Sequence, residues 1–237
     1  MTNDQRSALI LGAFICVGMM ATGLILGSTA IRFKEFDRVV SVKGLAEREV
    51  PADIAVWPNR FTAANDNLAE LYGTMETNAK EIIAYLQASG FAATEITTAP
   101  PTITDKFAQE YGGQKAPIRY TAAQVVTVYS NKIDTVRKAQ GNLAELGKKG
   151  IALSGNEFGQ QTQFLFTGLN KIKPAMIEDA TRNAQSVAEQ FAANTKSKVG
   201  KLKTANQGQF TIEDRDSNTP YLKRVRVVST VDYYLAD

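Results

Sequence analysis

A catalytic or ligand site needs bases, nucleophiles or metal ligands at workable spacing, and this chain offers few. It contains no histidine, and its one cysteine, Cys16, lies inside an apolar stretch. That excludes Ser-His and Cys-His catalysis, histidine-ligated zinc and disulfides within the chain. Asp214-Arg-Asp216-Ser-Asn218 copies the opening positions of a calcium loop. Thr219 stands at the sixth place instead of glycine and Val225 at the twelfth instead of glutamate, so the segment reads as a solvated turn. Asp53, just after Pro51, has no second acid at a spacing suited to paired-carboxylate chemistry and reads as a turn cap. Gly112-Gly113 and the stretch from Gly155 to Gly159 lack the Lys-Ser/Thr of a phosphate loop and read as loops. Tyr120, Tyr129, Tyr233 and Tyr234 fit sheet packing. No catalytic residue, cofactor or metal ligand is therefore expected.

The totals describe an ordinary globular chain: 237 residues, 44% apolar, 22% charged, net charge +3. Its basic clusters are short (Lys148-Lys149; Lys196, Lys198, Lys201 and Lys203; Lys223, Arg224 and Arg226). No nucleic-acid reading motif accompanies them, so nucleic acid is not an expected partner.

One stretch governs where such a chain can work. Ala8 to Ile31 carries no charged side chain. As a helix it would be ~36 Å long, enough to cross a bilayer's ~30 Å hydrocarbon core with some tilt. A signal peptide cleaved after Ser28-Thr29-Ala30 is the alternative, but the apolar run exceeds an ordinary h-region, which favours an uncleaved anchor. Gly23 and Gly27 form a GxxxG pair and are the candidate contact points between neighbouring membrane helices. Arg6 before the span and Arg32 and Lys34 after it nearly balance, which leaves the side of the membrane open. The expected plan is a stub and anchor over 1–31, a linker over 32–38 and one body over 39–237.

Within the body, Val39 to Gly44 reads as a strand with Gly44 as a bulge or turn, and Val50 to Asp53 as a break. Ile54 to Phe61 reads as a strand that Pro58 confines to an edge or a bulge. A helix is expected over 65–90, capped by Asn65 or Asp66 and ended by Gly90. Glu95 to Asp105 and Ile118 to Tyr129 form a long hairpin. One helix is expected over 132–149, with Ile133, Val136, Leu143 and Leu146 inward, and a strand at Gln163 to Thr167. A long alanine-rich helix follows over 171–196 with Pro174 in its first turn. Its inward stripe is Ile172, Met176, Ala180, Ala184, Val187, Ala188, Phe191 and Thr195. Strands at Leu202 to Ile212 and Val225 to Leu235 close the chain. The fold class is α+β, a mixed or antiparallel sheet with helices on one face.

These landmarks, in this order, resemble the SIMPL domain, also called DUF541. They are Val40-Ser-Val-Lys-Gly44, Val50-Pro-Ala-Asp53, Gly90 to Thr97, the Tyr120-led strand to Val128, and the helix from Lys173 to Ala188 leading to Val199-Gly200-Lys201. The likeness covers about residues 38 to 236 and departs at Trp57-Pro58. The resemblance implies a bacterial protein of the periplasm or cell envelope without established catalytic residues. It implies a homo-oligomer, ring or cage, as for a Brucella envelope antigen of the family, with links to oxidative stress protection. It places the body outside a bacterial inner membrane crossed once. Two alternatives stand beside it: a module that recruits an unidentified envelope protein through the sheet edge near Pro58 or the hairpin tip at Gly112, and a carboxylate-based hydrolase.

Overall fold

The computed structural model describes residues 12, 14–26, 38–108, 117–154 and 161–236. Residues 14–26 are helical (α1), with every described side chain exposed. The remaining elements are strands β1 (Val39–Pro51), β2 (Ile54–Asn65), β3 (Ile96–Thr98), β4 (Thr102–Asp105), β5 (Tyr120–Ser130), β6 (Ala152–Ser154), β7 (Gln163–Leu165), β8 (Lys198–Gln207), β9 (Thr211–Asp214) and β10 (Leu222–Ala236). With them come helices α2 (Leu68–Ala88), α3 (Ile133–Gly141), α4 (Ala144–Lys148) and α5 (Leu169–Asn194). The chain divides into two compact units. Unit 1 holds Met1–Glu47, Pro174–Thr211 and Arg226–Asp237, and unit 2 holds Arg48–Lys173 and Ile212–Val225. The α+β class with antiparallel pairing holds in both.

Unit 2 is a sheet in the order β3-β5-β2-β6, with β4 also on β5 and β7 also on β2. β2 and β5 pair without a break from Ala55↔Ser130 to Asn65↔Tyr120. The expected hairpin forms, but its first arm is two short strands on β5, split at Ala99-Pro100-Pro101. Pro58 is neither at a bulge nor on an edge strand. It sits opposite Thr127, in the gap between β7, which pairs residues 54–56, and β6, which pairs 60–62. That gap is where a residue without an N–H costs no ladder bond. Helix α2 covers the sheet with Leu71, Met75, Ala79, Ile82 and Leu86, all buried. Full burial of each large side chain contributes ~1.5–3 kcal/mol. The capping residue is Asn67, one or two positions later than expected, because Asn65 and Asp66 have other partners. The Asn67 side chain accepts from the N–H groups of Ala69 (2.9 Å) and Glu70 (3.4 Å), while the Asp66 carboxylate accepts from the Arg119 N–H (2.8 Å). Trp57 lies in the same core, edge-on to Phe91 at 6.4 Å. The single helix expected over 132–149 breaks at Asn142 into α3 and α4, which still bury Val136 and Leu146.

Unit 1 is a sheet in the order β1-β10-β8, with α5 on it. β1 runs straight through Gly44, so no bulge or turn forms there, and it ends at Pro51, where the expected break falls at Ala52-Asp53 before β2. A methyl built on Gly44 would lie 1.9 Å from the Ala180 carbonyl oxygen and 2.5 Å from the Ala184 nitrogen. Glycine is therefore required here by close approach of a helix backbone, not by a turn. The Asn183 side chain fixes the same seat by donating to the Leu45 carbonyl (2.8 Å). The buried face of α5 is Met176, Ala180, Ala184, Ala188 and Ala192. Val187, Phe191 and Thr195, expected inward, are exposed, because a helix seated this closely buries only its narrow methyl stripe. α5 begins at Leu169, so Pro174 falls inside the helix and not in its first turn.

Candidate functional site: anchoring and assembly surfaces

The polar groups of unit 2 that sequence singled out are engaged in holding loops. The Asp53 carboxylate accepts from the Thr167 N–H (2.8 and 3.0 Å) and hydroxyl (2.9 Å), and the Asp53 N–H donates to the Leu165 carbonyl (2.8 Å). In the acidic segment, Asp216 accepts from the N–H groups of Asn218 (2.9 Å) and Thr219 (2.8 Å) and from Arg215 Nε (2.9 Å). The Thr219 and Arg215 side chains hold its carboxyl below the usual carboxylate range. Asp214 instead pairs with the buried ammonium of Lys223. The two acids thus serve separate partners in a hairpin turn. Tyr120 and Tyr129 lie on β5, Tyr129 exposed and Tyr120 half-buried under the Arg119 guanidinium (4.8 Å), and in unit 1 Tyr233 is buried while Lys203 lies over Tyr234 (5.4 Å). The Gly112-Gly113 and Gly155 to Gly159 stretches lie outside the described residues.

Sequence reading missed one charged cluster, because its members are far apart in the chain. Glu95 accepts from the Ser130 hydroxyl (2.6 Å), the Ala92 N–H (2.8 Å) and Lys132 Nζ (2.9 Å). Lys132 also donates to the carbonyl of Gly90, whose φ of +103° ends α2 (2.8 Å). The Ser130 hydrogen bond first, then the Ala92 N–H, hold the Glu95 carboxyl down to about 2. A depressed folded-state value gives stabilisation that is complete above the unfolded value and lost as pH falls through the folded one. Urea midpoints measured at about pH 6 and about pH 3 check this. Glu95→Gln is expected to lower stability at the higher pH and to flatten the loss between the two.

One depression of unit 2, about 790 Å³, is a face of threonine and small residues: Thr62, Thr102, Thr104 and Thr121, with Arg60 and Gln124. A second, about 440 Å³, lies between β7 and the Asp214–Lys223 pair. A third, about 130 Å³, runs from Trp57 to Thr162. Asp214 is the only carboxylate among the linings of these three. No group of three or more acids and cysteines suited to a metal occurs among the described residues.

Apolar exposure is the more distinctive surface property. In α1, Phe14, Met19 and Leu24 are more than 70% exposed, and Ile15, Val17, Met20, Ile25 and Leu26 are also exposed. The one hydroxyl in this run, Thr22, donates back to the Gly18 carbonyl (2.8 Å). Nothing lies within 4 Å of a methyl built on Gly23, while Gly27 lies outside the described residues. Among the described residues, no helix is long and apolar enough to cross a membrane. Residues 14–26 would span ~20 Å, and most of the rest of the expected Ala8 to Ile31 stretch is outside the described residues. In unit 1, Val187, Phe191 and Leu202 are exposed.

The fold and the landmark order meet in one comparison. A family model described as SIMPL, a protein of unknown function (DUF541), matches residues 40–230. The chain belongs to the SIMPL family. The matched span begins within β1, ends within β10, and includes Gly44, the Glu95 cluster and the alanine stripe of α5. No curated protein matches this SIMPL protein. The family assignment supports the fold reading and brings no assigned reaction with it.

Proposed function

We propose that this SIMPL protein is a non-enzymatic, single-pass protein of a bacterial inner membrane. In this reading its body lies in the periplasm and assembles into a homo-oligomeric ring or cage. The observation that carries the reading is α1, whose apolar side chains are solvent-exposed on all sides and whose only hydroxyl is satisfied within the helix. In water such a helix is unfavourable, at ~25 cal/mol per Å² of apolar surface left exposed. In lipid the same surface is at home, and the Thr22 bond avoids an unsatisfied donor. Assembly is supported by Val187, Phe191 and Leu202, which leave apolar surface on unit 1. A role in protection from envelope or oxidative stress belongs to the same reading.

The full chain is expected to stay with membranes through alkaline carbonate extraction, and a chain lacking residues 1–31 is expected to be released. Mass measurement of the detergent-solubilised protein should then give a multiple of the 25.8 kDa chain. Extraction by carbonate sinks the anchor, and a monomer in detergent sinks the ring.

A second reading, a module that recruits an envelope partner, is favoured by the threonine-lined depression of unit 2. Its threonine side chains offer hydroxyl groups to a partner without a catalytic pair among them. Loss of a co-purifying envelope protein on Thr62→Arg or Thr121→Arg would favour it over the first.

A further inference from the structure

The end of unit 1 where β1 begins gathers positive charge beside an exposed aromatic ring. The Leu235 N–H donates to the Arg38 carbonyl (2.8 Å), and Arg38 Nη2 donates to the Ser197 hydroxyl (3.3 Å). Lys198 pairs with Ala236 across the β8–β10 ladder. The start of β1, the turn from α5 into β8 and the end of β10 therefore share one end. Lys196 turns that corner with a φ of 54°, and Lys196, Lys198 and Lys201 are all exposed. The Thr195 N–H donates to the Phe191 carbonyl, which puts the half-exposed Phe191 ring on the last turn of α5. From Phe191 to Lys203 the chain carries four lysines and no acid.

We propose that this end is a second membrane contact, in which Arg38, Lys196, Lys198 and Lys201 bind anionic phospholipid headgroups and Phe191 enters the interface. The proposal rests on the anchored reading above. Only six residues separate Ile31 from Arg38, seven steps or at most ~25 Å of chain, so the anchor holds this end close to the headgroups. Arg32 and Lys34 are offset by Glu35 and Asp37 in that linker, which leaves lipid discrimination to the lysines of unit 1. Basic groups near an anionic surface act within about a Debye length, ~8 Å, and a ring at the interface adds apolar burial. Tethering makes the docking step intramolecular, so even a few lysines suffice to populate it.

The test uses the full chain with Cys16→Ser and a fluorophore on Ala193→Cys. It is reconstituted in phosphatidylcholine vesicles with and without about a quarter phosphatidylglycerol, each carrying a headgroup quencher. Quenching at position 193 is expected only with phosphatidylglycerol, and high salt is expected to abolish it. At about fivefold per lysine, Lys196→Gln, Lys198→Gln and Lys201→Gln together should shift the docked-to-free ratio about a hundredfold. The anchor is scored separately, by vesicle flotation after carbonate. Flotation with equal quenching in both lipids, or quenching unchanged in the triple variant, overturns the proposal and leaves the anchor standing. Quenching confined to phosphatidylglycerol in a chain that carbonate strips from vesicles overturns the anchor and keeps the lysine contact.

Discussion

Gly44→Val is expected to abolish the native packing of unit 1. The new Cβ would sit 1.9 Å from the Ala180 carbonyl oxygen, and both neighbours are helix backbone that cannot rotate away. α5 must lift from β1 as a body. That exposes the stripe Ala180, Ala184 and Ala188 and breaks the Asn183 bond to Leu45. Overpacking a tight core costs ~1–3 kcal/mol where side chains can adjust, and backbone that cannot adjust puts this case at or above the upper end. Hydrogen exchange is the direct measurement: protection in β1 and α5 should collapse. Gly73→Ala is the control. It lies in α2 with nothing within 4 Å of the added methyl, and should leave stability unchanged or raise it by up to ~1 kcal/mol. Wild-type protection in α5 of Gly44→Val would remove the close-approach account.

Phe61→Ala is the corresponding test for unit 2. Phe61 is fully buried, opposite Gln124 on β5, in the cluster that also holds Leu71, Ile82 and Trp57. Deleting a buried phenyl group typically costs 3–5 kcal/mol through lost transfer energy plus the cavity left behind. Trp57 is the only tryptophan in the chain and is retained in the variant, so its fluorescence reports unfolding of this core directly. The denaturation midpoint is expected to fall sharply with little change in slope.

Much of this architecture was legible in residue periodicity. Period-two alternation marks β5, and the 3.6-residue period marks α2 and α5, since one face of each is buried and the other is wet. Legibility ended where a residue answers to a distant partner. Gly44 carries the local signature of a turn, yet its conformation is extended, and its reason lies far along the chain in α5. Val187 and Phe191 have the right period for burial, but the seat made by Gly44 is too narrow to take them. Pro58 argues against an inner strand until β6 and β7 are seen to leave a gap beside it. The exposed apolar side chains of α1 were readable as an uncharged run. The lysine-rich end was not, because Arg38 and Lys198 meet only through the β1–β10–β8 order.

That strand order also sets a timetable. The first strand of the body is completed by its last, with Arg38 accepting from Leu235 across almost the whole sequence. Such a pairing has a very long closing loop, slow to find and impossible before the final residues are synthesised. The β2–β5 ladder of unit 2 needs far less of the chain and can form earlier. During synthesis β1 must therefore wait with its apolar alternate residues uncovered, a state prone to capture or aggregation. Until β10 exists, β1 lacks its ladder partner, so the leading end of the body stays unfolded while unit 2 forms.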